Sequence, residues 1–170
     1  MSKLVLRTEH LELVIQTTED VLAWIEALSP AERAEVSPEW IARVRGLQGA
    51  EPDPWMHGFA IVDRASSRTI GSCGYKGPPD PNGTVEIAYG VDAEHRGRGH
   101  ATEAAEALVQ FAFGDDRVRV VRAHTRGDNA ASARVLAKCG FKRLREVVDP
   151  EDGLVWRWER SRTRLEPSIA

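Results

Sequence analysis

The chain has 170 residues, of which 42% are hydrophobic and 29% charged, with a formal net charge of -3. That size and apolar content predict a single globular domain over residues 1–170. The slightly acidic balance argues against non-specific nucleic-acid binding. No apolar run approaches the roughly 20 residues of a membrane span, and no secretory leader is expected, so the sequence reads as cytoplasmic.

From the N-terminus, Leu4 to Leu6 and Leu11 to Ile15 predict strands, and Thr17 and Thr18 open a helix over about Asp20 to Leu28. Pro30, Pro38, Pro52 and Pro54 then interrupt the chain, which predicts a helix from Pro38 to Leu47 and irregular loop after it. His57 to Asp63, Thr69 to Tyr75 and Thr84 to Tyr89 predict an antiparallel meander, with polar turns at 64–68 and 78–83. A helix from Gly99 to Phe113, a strand from Arg117 to Thr125 and a helix from Asn129 to Lys138, closed by Gly140, follow. Phe141 to Val148 and Leu154 to Arg160 flank an acidic turn and predict a closing hairpin.

Residues 85–104 read as a strand, a basic glycine-rich turn and the start of an alanine-rich helix. That order builds an anion site: Gly97 and Gly99 let backbone approach a ligand, and the free N–H groups of the helix start attract phosphate. Arg96 and Arg98 add positive charge. A dinucleotide fingerprint fits poorly, because the third small residue is missing and antiparallel strands precede the turn. Cys73 and Cys139 lack metal-ligand spacing and read as small buried hydrophobes. The histidines His10, His57, His95 and His100 show no ligand spacing either, so no metal is expected.

The run Arg96-Gly-Arg-Gly-His-Ala101 matches the Arg/Gln-x-x-Gly-x-Gly/Ala signature of the GNAT N-acetyltransferases. Agreement extends to Ile70-Gly71, Val85 to Tyr89, Ala101-Thr-Glu-Ala104, Asn129-x-x-Ser132 and Lys138-Cys-Gly-Phe141. Over residues 4–160 the chain resembles that superfamily, and within it the ribosomal-protein N-acetyltransferase branch. The resemblance implies an α/β (α+β) fold: a mixed central sheet with helices on both faces and a splayed pair of central strands. It also implies acetyl-CoA as co-substrate, with its pyrophosphate on the amides of Arg96, Gly97, Arg98, Gly99, His100 and Ala101, and with Asn129 and Ser132 as further contacts. The acceptor it implies is a primary amine, either a protein N-terminal α-amine or a small molecule, attacking directly in a ternary complex. A homodimer is common behaviour in the branch.

Amine attack on a thioester needs a base, an oxyanion donor and a proton source for the thiolate. The amide of Val91, at the implied splay, is the oxyanion candidate and a further cofactor contact. Strand alternation sets Glu86, Ala88 and Gly90 on one side and Val85, Ile87 and Tyr89 on the other, leaving Glu86 alone among small neighbours as the favoured base. His124, on the next strand, is the second choice. Many relatives carry a tyrosine as acid where this sequence has Leu136, so Ser132, Tyr89 or water serves here, or the thiolate leaves unprotonated because thiols are only weakly basic. Glu103 reads as structural. Acceptor specificity is expected between Ser29 and His57, where Trp40 and Trp55 read as groove or core, and Glu51, Asp53 and the acidic turn 149–152 offer attraction to a cation. From another class comes a CoA-binding sensor without turnover, which the missing tyrosine keeps open.

Overall fold

A computed structural model describes residues 3–150 and 152–163; Glu151 of the predicted hairpin turn lies outside them. The chain order is β1 (Val5–Arg7), β2 (Leu11–Ile15), α1 (Thr18–Ala27), α2 (Pro30–Ala34), α3 (Pro38–Arg45), β3 (Phe59–Asp63), β4 (Thr69–Tyr75), β5 (Thr84–Val91), α4 (His100–Phe113), β6 (Val120–Arg126), α5 (Ala130–Lys138), β7 (Lys142–Asp149) and β8 (Gly153–Ser161). The eight strands form one sheet in the order β1-β2-β3-β4-β5-β6-β8-β7. Among the described residues only the β5–β6 pair is parallel, so the sheet is mixed.

Side-chain alternation divides the sheet into two faces. One face sends Leu13, Ile61, Val85, Ile87 and Val121 into the main core, which the small and apolar face of α4 and Leu136 of α5 close. The hydroxyl of Tyr75 donates to the Leu108 carbonyl and ties β4 to α4. The other face carries a thinner cover, in which α1 and α3 pack through Val21, Ile25 and Val44. Helices therefore flank both faces, as the resemblance implies.

Most element boundaries fall within one to three residues of the sequence reading, and each shift has a local cause. Thr17 caps α1 through a reciprocal pair with Asp20, which starts the helix at Thr18. The unforeseen α2 arises the same way, from Ser29 paired with Glu32 and Pro30 in the first turn, where proline starts a helix instead of breaking it. Strand β3 begins at Phe59 because both ring nitrogens of His57 are engaged in the preceding loop. Its Nδ1 accepts from the Asp53 amide at 2.9 Å, so Nε2 carries the proton and donates to Thr18 Oγ1 at 2.8 Å.

Parallel pairing of β5 with β6 covers only Thr84 to Glu86 against Val120 to Arg122. Beyond Glu86 the two strands diverge, although β5 continues to Val91 and β6 to Arg126. This is the implied splay, and it positions everything that follows.

Candidate active site

The glycine turn stands at one mouth of the splay. Asp92 N–H donates to the Ile70 carbonyl at 2.8 Å, a single 3-10 turn follows over Ala93–His95, and Arg96 Nε donates back to the Val91 carbonyl at 2.8 Å. Gly97 and Gly99 both adopt left-handed backbone, at φ 79° and 83°, and a Cβ built on either would meet nothing within 4 Å. Gly99 is the N-cap of the 14-residue helix α4 and supplies no side-chain cap. The first helical bond runs from Glu103 N–H to the Gly99 carbonyl, so the amides of His100, Ala101 and Thr102 precede the ladder. By contrast Thr17, Ser29, Ser37 and Asn129 each cap their own helix with a side chain. An uncapped helix start with open glycines and exposed Arg96 and Arg98 beside it fits a pyrophosphate-bearing group.

Within the splay, Lys76 N–H donates to the Glu86 carbonyl and Asp92 N–H to the Ile70 carbonyl, so even-numbered β5 residues aim their backbone at β4. Alternation then directs the amides of Ile87, Tyr89 and Val91 toward the gap. The amide of Val91, the oxyanion candidate of the sequence reading, is thus one of three that face the gap.

Glu86 is not alone, and this corrects the sequence reading. Its Oε2 is 3.0 Å from Lys76 Nζ and 3.0 Å from His124 Nδ1. Small residues do surround it along β5, but the antiparallel register carries Lys76 opposite it and β6 carries His124 alongside. Arg157 Nε approaches His124 Nε2 at 3.2 Å. A guanidinium only donates, so Nε2 accepts, the ring proton lies on Nδ1, and His124 donates to Glu86. Burial draws the Lys76 ammonium down, but Glu86, with Asp149 and Asp152 behind it, more than offsets that and raises it above its ordinary value. Burial, then Arg122 and Arg145 nearby, hold Arg157 below its ordinary value. Glu86 and Val91 are five residues apart, on the order of 16 Å along a strand. A carbonyl on the Val91 amide would therefore stand too far from Glu86 for one water to bridge, and a proton would have to pass along a chain of several waters.

On the opposite face of β5, the Tyr89 hydroxyl lies 2.9 Å from Ser132 Oγ. Two of the three acid candidates are therefore one hydrogen-bonded pair. Burial pushes the Tyr89 phenol up to about 12. Leu136 is fully buried in the core. Asn129 Oδ1 accepts from Ser132 N–H at 3.0 Å, which fixes the start of α5 beside that pair.

A groove of about 890 Å³ runs over the α1–α3 face of β4 and β5. Ser72, Gly74, Ala88 and Gly90 form its floor, and Trp24 and Trp40 stand in its wall as an edge-to-face pair with centroids 6.4 Å apart. Trp55 serves both roles considered for it, lining the groove and stacking on Tyr75 at 4.6 Å. The acids proposed as cation attractors are otherwise engaged: Asp53 Oδ1 accepts from the Trp55 amide and Asp152 pairs with Arg126 at 3.3 Å. Glu51 does not line the groove. Sequence reasoning missed Trp24, Arg43, Lys76 and Arg157; only Lys76 had a signal, the meander register continued one step past Tyr75 and Ile87.

Elsewhere, Glu103 accepts from the Thr8 hydroxyl and from the His10 amide at 2.9 Å, pinning the β1–β2 turn to α4, a structural role as read. Burial pushes the Cys73 thiol up to about 12 and Cys139 up to about 11, so both remain unreactive thiols in the core. Among the described residues no cluster of three His, Cys, Asp or Glu side chains could hold a metal, and no helix is long and apolar enough to cross a membrane.

The glycine turn, the splay and the sheet order define an acyl-CoA transferase type of fold, and comparison with known proteins gives the family. Residues 4–142 match the acetyltransferase (GNAT) domain, and the chain belongs to that family. It is 34% identical over 103 residues to the uncharacterized N-acetyltransferase YjdG of Bacillus subtilis, a match covering 61% of this chain and 58% of that one. The chain thus spans less than two thirds of that relative's length. In fold it resembles the ribosomal-protein-S5-alanine acetyltransferase of Vibrio fischeri, with TM-score 0.71, 19% identity and coverage of 96% and 100% of the two chains. It also resembles the aminoglycoside acetyltransferase AAC(6')-Ib, solved with coenzyme A and kanamycin, with TM-score 0.67, 20% identity and coverage of 89% and 95%.

Proposed function

We propose that the protein transfers an acetyl group from acetyl-CoA to a primary amine, by direct attack within a ternary complex. The observation that carries this is the splay itself: gap-facing amides of β5 open beside an uncapped helix start flanked by Gly97 and Gly99. The amides of Arg96 to Ala101 would hold the pyrophosphate, and Asn129 and Ser132 the neighbouring arm, of a co-substrate that supplies an electrophilic thioester carbonyl. The amine enters from the groove on the other face. Val91 N–H stabilises charge developing on the carbonyl oxygen, and Glu86, oriented by His124 and Lys76, accepts the ammonium proton along a chain of several waters.

Ser132 and Tyr89 donate hydrogen bonds toward the departing sulfur. Full protonation is not needed there, because a thiol titrates near 8.5 and its thiolate leaves readily. This weakens the sensor reading, which leans on the absent tyrosine.

Titration calorimetry with acetyl-CoA, alongside NAD and ATP, tests the cofactor assignment. We expect micromolar binding of acetyl-CoA alone, followed by thiol release with an amine. Absence of binding in folded protein would overturn the enzyme reading. Two free buried cysteines, in place of a disulfide, support a cytoplasmic setting. Exposed Val148 and Leu154 at the β7–β8 turn support pairing of two copies there. Sedimentation at monomer mass throughout the micromolar range would rule such pairing out.

A further inference from the structure

We infer that the acceptor is an extended peptide-like amine carrying an apolar group near its reacting nitrogen and an anionic group three to five residues further on. The inference rests on the acetyltransferase reading of the same site and adds the acceptor's charge and length. The groove is walled by Trp24, Trp40, Val36 and Met56, surface suited to an apolar side chain. Trp24 remains 49% exposed, a large apolar surface left open in that wall.

The charges in the groove are mainly positive. Arg43, Lys76 and Arg96 line it against a single carboxylate, Asp92, while the ring of His57 is buried and tied through both nitrogens. Arg43 projects from the exposed side of α3, and among the described residues its guanidinium meets only the Lys76 carbonyl, at 3.4 Å. No carboxylate pairs with it there. Lys76 is half exposed beside it and shares one carboxylate, Glu86. Lys76 is already matched by Glu86, with Asp149 and Asp152 nearby, so the charge left to choose the acceptor is that of Arg43, which would repel a cation and donate to an anion.

Position sets the length. Lys76 lies opposite Glu86, and the gap-facing amides of Tyr89 and Val91 lie three and five residues along β5, or about 10 to 16 Å at the rise of a strand. A free amino acid, one residue long, cannot place its amine at the gap and its carboxylate on Arg43. An extended peptide advances about 3.3 to 3.6 Å per residue, so a side-chain anion at the fourth to sixth position spans the interval.

The test is initial-rate thiol release from acetyl-CoA with peptides that begin Met-Leu-Ala and carry Glu-Glu, Gln-Gln or Lys-Lys next, with kanamycin in parallel. The acidic peptide should exceed the basic one by about tenfold or more in kcat/KM, as expected for a charge pair across a partly desolvated groove. Arg43→Glu, a change at an exposed helix position, should abolish or invert that preference, while Arg45→Glu, on the same helix outside the groove, should retain it. Equal rates for the three peptides, or a preference that survives Arg43→Glu, would overturn the inference and leave the acetyltransferase reading intact. Thiol release with kanamycin but with no peptide would overturn the inference and confine the enzyme to small amines. Release with none of them, in protein that binds acetyl-CoA, would count against both.

Discussion

The two flanks of β5 are built by different means. On the cofactor flank, consecutive residues do the work: a glycine turn, an uncapped helix start and, at the next helix, Asn129 capping beside Ser132. On the acceptor flank, Trp24, Arg43, Lys76, His124 and Arg157 come from five different elements or their edges and meet only through sheet register and helix packing. A local device tolerates little change at its own positions, whereas a long-range one is broken by displacement of the strands that assemble it.

The largest effect should come from breaking the local device. Gly99→Asp places a carboxylate where the pyrophosphate would sit and asks an L-residue to hold φ 83° at the start of α4. Acetyl-CoA affinity should fall by more than about 100-fold, with the sheet intact by circular dichroism, because anion repulsion adds to lost backbone access. Calorimetry showing unchanged affinity would remove the anion site from this turn.

Next comes the seam where both flanks meet. A Cβ on Gly71 would stand 2.1 Å from the Gly90 carbonyl oxygen and 3.0 Å from Val91 Cα. Gly71→Ala must push β4 from β5 at the proposed oxyanion donor. We expect a loss of about 2–4 kcal/mol in denaturant unfolding, in the range of overpacked core sites. A variant of wild-type stability and turnover would show that this close approach is dispensable.

The same contrast explains what could be read from sequence. The cofactor flank was legible because its signals lie within a few residues of one another: Gly97 and Gly99 before an alanine-rich helix, Asn129 three residues before Ser132. The splay followed from the family resemblance, the order of the strands across the sheet was not read, and the β5 alternation separated Glu86 from Tyr89. The environment of Glu86 was not legible in full. Lys76 follows from extending the β4–β5 register, but Arg157 reaches His124 only because β8 inserts between β6 and β7. Trp24 sits on a helix whose amphipathic pattern shows an exposed face and gives no hint that α3 brings Trp40 against it.

On the acceptor flank the corresponding break is Glu86→Gln. The amide keeps an acceptor oxygen for His124 but cannot take a proton. Acetyl-CoA affinity should stay within about twofold, while kcat falls by about 100-fold, the usual scale for a lost general base. A kcat within about twofold of wild type would remove Glu86 from the chemistry and leave it as the positioning partner of Lys76 and His124.

The smallest effect should be that of Tyr89→Phe, and its smallness is informative. A phenol near 12 lies roughly three units above a thiol near 8.5, so donating its proton outright to the departing thiolate would be uphill by about 4–5 kcal/mol. Tyr89 can donate a hydrogen bond, directly or through Ser132 at 2.9 Å, without losing the proton. Removing the hydroxyl should then cost less than about threefold in kcat, and about 1 kcal/mol of stability from the lost contact with Ser132. In this account the thiolate departs unprotonated and picks up its proton afterwards from bulk solvent at a pH below the thiol's own value near 8.5, and Leu136 at the position of the absent acid is tolerated for that reason. A loss of tenfold or more in kcat, together with disappearance of a basic limb, would instead make Tyr89 the acid on the cofactor flank.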